Sequence, residues 1–130
     1  MIVFAGVNTN TLRDVWTLSL SGVVPTWSEV MTTGTPPPAF WNEGAYDPIR
    51  DRLLAYVGSS GSRTHALALA GTPTWTQLAP DGDKPISRCH MTALFDSPRD
   101  RMIIFGGFLC GASRTRGSTT TPGRCGSERR

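Results

Sequence analysis

Long apolar runs, helical hydrophobic patterns and targeting segments are all missing from this 130-residue sequence. No run approaches the roughly 18 consecutive apolar residues of a membrane-spanning helix. No charged segment followed by a long apolar core opens the chain, so we expect no signal peptide, and no compartment is indicated. No stretch of about 11 or more residues places apolar side chains at helical spacing. These absences predict an all-β chain without a membrane segment.

Metal-binding patterns are scarce as well. The three cysteines, Cys89, Cys110 and Cys125, form neither a disulfide framework nor a zinc-ligand spacing. Cys89 precedes His90 directly, but neighbouring residues on a strand point to opposite faces and would not bind one ion together. The segment DGD at 81–83 resembles part of a calcium loop, yet the remaining ligands and the closing glutamate are absent. We therefore expect no metal and no cofactor.

Catalytic constellations are also absent. No Ser, His and Asp set stands at a plausible spacing, and no glycine-rich phosphate loop precedes a helix. Two carboxylate pairs, Asp47 with Asp51 and Asp96 with Asp100, lie in polar turn segments. An aspartate in a turn accepts hydrogen bonds from nearby backbone N–H groups, which accounts for these pairs without acid–base chemistry. The sequence predicts no enzyme activity.

What the sequence does contain is a repeat. YDPIRDR at 46–52 recurs as FDSPRDR at 95–101, 49 residues later. Each copy is followed at once by an apolar run, LLAYVG or MIIFGG, and the opening MIVFAG is a third copy of that run. Trp27 matches Trp75 at nearly the same period. A fixed period of this length indicates a repeat architecture.

Each repeat unit predicts four short strands, which we name a to d in chain order. The c strand alternates, with Trp16, Leu18 and Leu20 pointing to one face. The b strands are continuously apolar, which suits burial on both faces. From the first residue the order is b, c, d, a, b, c, d, a, b. Nine strands make two four-stranded units and one further strand.

This combination resembles kelch repeats, each of which builds one four-stranded antiparallel blade of a β-propeller. The resemblance covers residues 1–107 and implies an incomplete ring of about two blades plus one strand. Two departures weaken the motif. The glycine pair Gly106-Gly107 of the third apolar run is Ala5-Gly6 and Val57-Gly58 in the first two runs, and the D-V-W of residues 14–16 becomes Arg63-Thr64-His65. The residues that carry the repeat motif are Gly6, Gly58, Gly106, Gly107, Asp14, Trp16, Trp27, Trp75, Asp47, Arg52, Asp96 and Arg101.

Residues 108–130 differ from the rest of the chain. Residues 1–107 hold eight Lys and Arg against nine Asp and Glu, whereas 108–130 hold five Arg against Glu128. This Gly, Ser, Thr and Arg-rich segment cannot bury enough surface to offset the entropy of ordering, so we expect a disordered basic tail. The alternative is a coding sequence that has left its reading frame just after the glycine pair, and the abrupt change within a structural unit favours it. The arginines would offer nucleic acid only non-specific attraction to phosphates, so no nucleic-acid partner is expected.

The kelch resemblance implies an interaction module that binds a protein or another ligand through loops at one mouth of the ring. The equivalent b-to-c loops here are rich in Asn, Thr, Ser and Arg, which offer hydrogen bonds. Trp27 and Trp75 recur at the repeat period and predict packing positions, whereas Trp41 has no matching partner and is a candidate for a binding surface. The candidate binding residues are Asn8, Asn10, Arg13, Ser59, Ser60, Arg63 and Trp41.

Two other interpretations stay open. Propellers of this type also form the central domain of galactose oxidase and occur in some sugar isomerases, so the chain is alternatively a piece of an enzyme domain. Copper chemistry would need Tyr, Cys and His ligands, a set that Tyr46, Tyr56 and the two histidines do not supply. The other interpretation is a truncated product with no independent function. An incomplete ring also predicts a need for further blades or for self-association.

Overall fold

The computed structural model describes residues 1–38, 42–59 and 61–109. The candidate residues Trp41 and Ser60, together with the predicted tail beyond Leu109, lie outside these ranges. Within them the chain is built of strands and one three-residue 3₁₀ helix at Ser97–Arg99. No helix in the described part is long and apolar enough to span a membrane. The all-β prediction is confirmed.

Three open sheets contain all the described strands. Sheet I has the order β1-β2-β3, sheet II the order β4-β8-β7-β6-β5, and sheet III pairs β9 with β10. Neighbouring strands are antiparallel except for the short β4, which runs parallel to β8. The strand bounds are β1 Ile2–Val7, β2 Thr11–Ser19, β3 Thr26–Glu29, β4 Thr33–Gly34, β5 Asn42–Asp47, β6 Arg52–Val57, β7 Arg63–Ala68, β8 Thr74–Leu78, β9 Cys89–Asp96 and β10 Arg101–Phe108.

The nine predicted strands are all present, in the predicted order, and β4 is an addition that the sequence did not indicate. Corresponding strands also pair in the same register. Leu18 lies opposite Trp27 in sheet I, as Leu67 lies opposite Trp75 in sheet II. Because side chains alternate between the two faces of a strand, one shared register places corresponding residues on corresponding faces. The 48-residue and 49-residue offsets of the sequence are therefore structural equivalences in the sheets.

The main core lies between sheet I and sheet II. Val15 of β2 belongs to one buried cluster with Ala55, Leu67 and Trp75 of sheet II. The rings of Phe4 and Trp75 lie 4.6 Å apart between centroids, at an interplanar angle of 49°. Aromatic pairs prefer such offset or tilted contacts, and the large apolar area that they bury dominates core energetics. The two sheets are therefore held face to face by apolar contact.

The prediction that b strands are buried on both faces holds only for the middle copy. In β6 every residue from Leu54 to Val57 is buried. In β10, by contrast, Phe105 is 77% exposed, and in β1 Val3 is 41% exposed. The three runs are equally apolar, but only β6 has a sheet packed on each side. The prediction was wrong for β1 and β10 because burial depends on the neighbouring sheet and not on the strand's own composition.

Gly58, directly after β6, contacts the segment that leads into sheet III. The backbone N–H of Arg88 donates to the C=O of Gly58 at 3.2 Å. A Cβ built on Gly58 would overlap the backbone oxygen of Arg88 and lie 2.8 Å from the Cε of Met91. Glycine is required here by space, since Gly58 is not among the residues with positive φ.

Replacing Gly58 with alanine is expected to lower the free energy of unfolding by about 2 kcal/mol, because overpacking forces the two backbones apart. Gly44→Ala is the matched control on β5: its Cβ would touch only the mobile Cδ1 of Leu53 at 3.3 Å and the oxygen of Leu54 at 3.5 Å. We expect that control to change stability by less than about 1 kcal/mol. Urea unfolding measures both, and equal losses in the two variants would contradict the close approach at Gly58.

Candidate functional site

The sheets have two distinct ends. At one end, here called the hairpin end, lie the turns between β5 and β6 and between β9 and β10. At the other, the loop end, lies the connection between β6 and β7. The start of β1, at Met1 and Ile2, shares a cavity with Tyr46, Asp51 and Leu69 at the hairpin end of sheet II. Strand β1 therefore runs towards the loop end, and both predicted binding loops lie there.

The first of these loops joins β1 to β2 and contains Asn8 and Asn10. Both side chains are exposed, and the loop is closed by its own hydrogen bonds. The backbone N–H of Asn10 donates to Oδ1 of Asn8 at 2.7 Å, and the N–H of Asn8 donates to the C=O of Asn10 at 3.0 Å. Asparagine favours such turns because its side chain replaces a backbone acceptor. Arg13 follows in β2 and is also exposed.

The second loop, between β6 and β7, is joined to the connection from β8 to β9. The hydroxyl of Ser62 donates to the C=O of Pro85 at 2.5 Å, and the hydroxyl of Ser87 donates to the C=O of Gly58 at 2.5 Å. Ser62 is buried in this contact. The sequence did not indicate that segment 85–88 belongs to the site, and no pattern in that segment signals a contact made through main-chain oxygens.

The predicted residues of this second loop occupy different environments. Ser59 is partly buried, whereas Arg63 opens β7 with an exposed side chain. Two residues further along β7, His65 is buried, and its Nδ1 has no hydrogen-bond partner among the described residues. Burial lowers the pKa of His65, and the nearby charge of Arg63 lowers it further. The imidazole is consequently neutral at neutral pH, and Arg63 carries the charge on this strand.

A charged cluster occupies the hairpin end. Asp47, whose side chain is fully buried, accepts the backbone N–H groups of Ile49 and Arg50 at 3.0 and 3.2 Å. It also accepts the guanidinium groups of Arg52 and Arg50 at 2.8 and 3.2 Å. Arg50 then reaches across to sheet III and binds both carboxylate oxygens of Asp100, each at 2.6 Å. Asp47 thus holds its own turn together, and Asp100 joins the second hairpin to Arg50.

The pKa values of these groups follow from the same contacts. Burial by itself would raise the pKa of Asp47, but the hydrogen bonds from Arg52, Arg50 and the backbone hold it below its usual range. The hydrogen bonds from Arg50 lower the pKa of Asp100, and the same bonds raise the pKa of Arg50. All three groups are therefore charged at neutral pH.

A cleft of about 450 Å³ separates sheets II and III. Its walls are mostly apolar and include Tyr56 and Ile104. The three arginines that line it are each ion-paired, Arg50 with Asp47 and Asp100, Arg52 with Asp47, and Arg101 with Asp96. Because their charges are already neutralised, the cleft offers an anion no unpaired cation among its described walls. The cleft is better described as an incompletely packed interface between sheets II and III than as an anion site.

The residues of the repeat motif differ in their surroundings. The indole N–H of Trp16 donates to Oδ2 of Asp14 at 2.7 Å. Gly106 and Gly107 adopt positive φ at +76° and +88°, which glycine permits. Gly6 has φ +141° beside an irregularity in the pairing of β1 with β2. Trp75 is 3% exposed but its equivalent Trp27 is 47% exposed.

Metal-ligating side chains do not gather in the described part of the chain, where no group of three His, Cys, Asp or Glu residues comes together. Cys89 is buried and disulfide-bonded, so its sulfur is not a free thiolate. The neighbouring His90 adopts φ +54°, and its ring stacks on Phe108 with centroids 5.0 Å apart. His90 thus makes a packing contact.

Comparison with known proteins adds no assignment. No model of a known protein family matches the chain, and no curated protein matches it.

Proposed function

We propose that the chain is part of a kelch-type propeller and serves as an interaction module that binds a protein partner through the loop end of its sheets. Three features support the kelch-type architecture: successive sheets of mainly antiparallel strands, one shared register, and the face-to-face packing of sheet I on sheet II. A propeller arranges its four-stranded sheets in this way.

The observation that carries the binding proposal is the fixed geometry of the polar loops. The loop at Asn8 and Asn10 is closed by two internal hydrogen bonds, and the loop that contains Ser62 is tied to Pro85 and Ser87. Ordering a flexible loop opposes association, so loops already held in shape bind at lower entropic cost. Rigid scaffolds commonly carry binding residues on such connections.

The chemistry of the loop end favours a partner rich in hydrogen-bonding groups. Asn8 and Asn10 provide amides, which both donate and accept, and Arg63 provides a planar guanidinium. Arginine is also enriched among the residues that dominate protein–protein binding. Exposed apolar side chains flank these polar groups: Val7 precedes Asn8 and is 61% exposed, and Ile86 lies in the segment tied to Ser62 and is 66% exposed.

The test is a triple variant, Asn8→Ala, Asn10→Ala and Arg63→Ala. Each side chain is exposed, and Asn8→Ala removes one exposed hydrogen bond within its loop. We therefore expect an unchanged circular dichroism spectrum and a free energy of unfolding within about 1 kcal/mol of the parent. Partners recovered from cell extract with the immobilised parent chain are identified and quantified by mass spectrometry. We expect the triple variant to reduce recovery of the specific partner by at least about tenfold.

The matched control places the same kinds of change at the hairpin end, with Ser21→Ala, Thr72→Ala and Arg99→Ala, all exposed. The control is expected to retain the partner. Equal recovery by the parent and the loop-end variant would rule out binding through this end. Loss in the control instead would move the site to the hairpin end.

A further inference from the structure

The outer face of sheet I is an apolar surface that no strand in the described part of the chain covers. Val3, Trp16 and Trp27 line an open apolar depression of about 320 Å³. Leu18 lies opposite Trp27 in the pairing of β2 with β3 and is partly exposed. We call these four residues the head face. Contiguous exposed apolar surface of this kind marks interaction sites.

The head face corresponds, residue by residue, to a face that is buried in sheet II. Val3 lies opposite Trp16 in sheet I, just as Ala55 lies opposite His65 in sheet II. The pairs Leu18 with Trp27 and Leu67 with Trp75 extend the correspondence across the sheets. In sheet II these four positions are 0–4% exposed, because sheet I packs on them. The head face is therefore equivalent to the covered face of sheet II, but no described sheet packs on it.

The face of sheet I that covers sheet II also has an exposed counterpart in the chain. Sheet I covers sheet II with a face that contains Ile2 and Phe4. The alignment of MIVFAG with MIIFGG places Ile103 and Phe105 of β10 at these positions. Both point away from sheet II, since the cleft towards sheet II is lined instead by Met102 and Ile104.

That counterpart is the outer face of sheet III. Ile103 lies opposite Leu94 of β9, and Leu94 and Phe105 are 50% and 77% exposed. We call Leu94, Ile103 and Phe105 the tail face. The chain thus exposes two surfaces. The head face on sheet I is equivalent to the face of sheet II that is covered, and the tail face on sheet III is equivalent to the face of sheet I that covers it.

We infer that a second copy of this chain is the partner of the head face, and that it docks through its tail face. The contact continues an interface that the chain already makes between its own sheets I and II. It joins two different surfaces and is therefore heterologous, so each copy in a dimer keeps one free face. Assembly then proceeds to a ring if the rotation closes, or to a filament if it does not.

This self-association is independent of the partner proposed for the loop end. Neither face includes Asn8, Asn10 or Arg63, so the triple loop variant is expected to assemble like the parent chain. If assembly fails, partner recovery can still succeed, and the reverse also holds.

The test uses sedimentation velocity over a wide concentration range with the full chain and two single variants. Trp27→Lys charges the head face and Phe105→Lys charges the tail face, and both side chains are exposed in one copy. Burying an unpaired charge in an apolar contact is costly, so each variant alone is expected to remain a monomer. The parent chain is expected to form dimers and larger species. Val23→Lys, at a fully exposed apolar residue between β2 and β3, is the matched control and is expected to assemble like the parent.

Mixing the two variants separates this contact from its alternatives. Trp27→Lys retains its tail face and Phe105→Lys retains its head face, so the mixture is expected to give a one-to-one dimer that grows no further. A parent chain that stays monomeric at every concentration overturns the proposal and leaves the head face to a partner other than a second copy. Assembly of Phe105→Lys on its own would also overturn it, because it would indicate head-to-head contact. Near-ultraviolet circular dichroism of each variant verifies that the fold is retained.

Discussion

Replacing Trp75 with alanine is expected to lower the free energy of unfolding by about 3 to 5 kcal/mol. Trp75 is 3% exposed and packs against Phe4 and the buried cluster around Leu67, so its removal leaves a large cavity between sheets I and II. The loss is measured by urea unfolding, followed by far-ultraviolet circular dichroism because fluorescence would change with the tryptophan itself.

Two controls isolate the packing contribution. The indole N–H of Trp75 has no hydrogen-bond partner among the described residues, so Trp75→Phe removes no hydrogen bond and is expected to cost only about 1 to 2 kcal/mol. Trp27→Ala changes the equivalent residue on the uncovered head face and is expected to cost less than about 1 kcal/mol at a concentration where the chain is monomeric. Equal losses for Trp75→Ala and Trp27→Ala would contradict the difference in burial.

The second large effect is expected at Asp47. Asp47→Ala is expected to lower the free energy of unfolding by about 2 to 4 kcal/mol. The change removes the acceptor of two backbone N–H groups, at Ile49 and Arg50, and of the guanidinium groups of Arg50 and Arg52. Arg50 and Arg52 would also lose a buried counter-charge beside the cleft.

Asp96 provides the matched control, because it holds the same position in the second hairpin. Its side chain accepts hydrogen bonds from Arg99 and Arg101, both of which are more than half exposed. The Asp96 side chain is 12% exposed, but both partners reach it from solvent, where ion pairs contribute little, so Asp96→Ala is expected to cost about 1 kcal/mol. A loss at Asp96 as large as the loss at Asp47 would show that burial does not distinguish the two turns.

The pH dependence of stability gives an independent measurement on Asp47. Its pKa in the folded chain lies below the value of about 3.9 that an aspartate has when unfolded. The unfolded state therefore binds more protons as the pH falls, and the stabilisation present above about pH 4 is lost as the pH decreases towards the folded pKa. Asp47→Ala is expected to show a smaller loss of stability in that range than the parent chain. An unchanged pH profile would exclude Asp47 as a source of acid sensitivity.

Much of the fold was predictable because the strands carry local signals. Alternation in β2 and the apolar run of β6 indicate strands, and the repeated turn at 46–52 and 95–101 fixes where each hairpin folds. The two-residue β4 was not predictable, since it exists only through its contact with β8. The exposure of Trp27, for which the repeat predicted a packing position, was also beyond sequence reasoning. Its sequence neighbours resemble those of Trp75, and only a covering sheet makes the two different.

The candidate site was predictable to a smaller extent. The polar composition around Asn8 and Arg63 indicated the loops, and the sheets bring both to one end. The tie between Ser62 and Pro85 was missed because a serine hydroxyl and a main-chain oxygen give no signal about which residue they will meet. Gly58, which follows β6, was indicated by the sequence because a glycine recurs at this position of the repeat.

Contacts of two different kinds join sheets II and III at the two ends of the cleft. At the hairpin end Arg50 binds Asp100 through two exposed ionic hydrogen bonds, whereas at the loop end the backbone of Arg88 bonds directly to Gly58. Salt screens exposed charges but has little effect on a backbone contact. We therefore expect rising ionic strength to weaken the contact at the hairpin end and to leave the contact at Gly58 in place. The loops that we propose bind the partner lie at the end of the cleft that is held by the salt-insensitive contact.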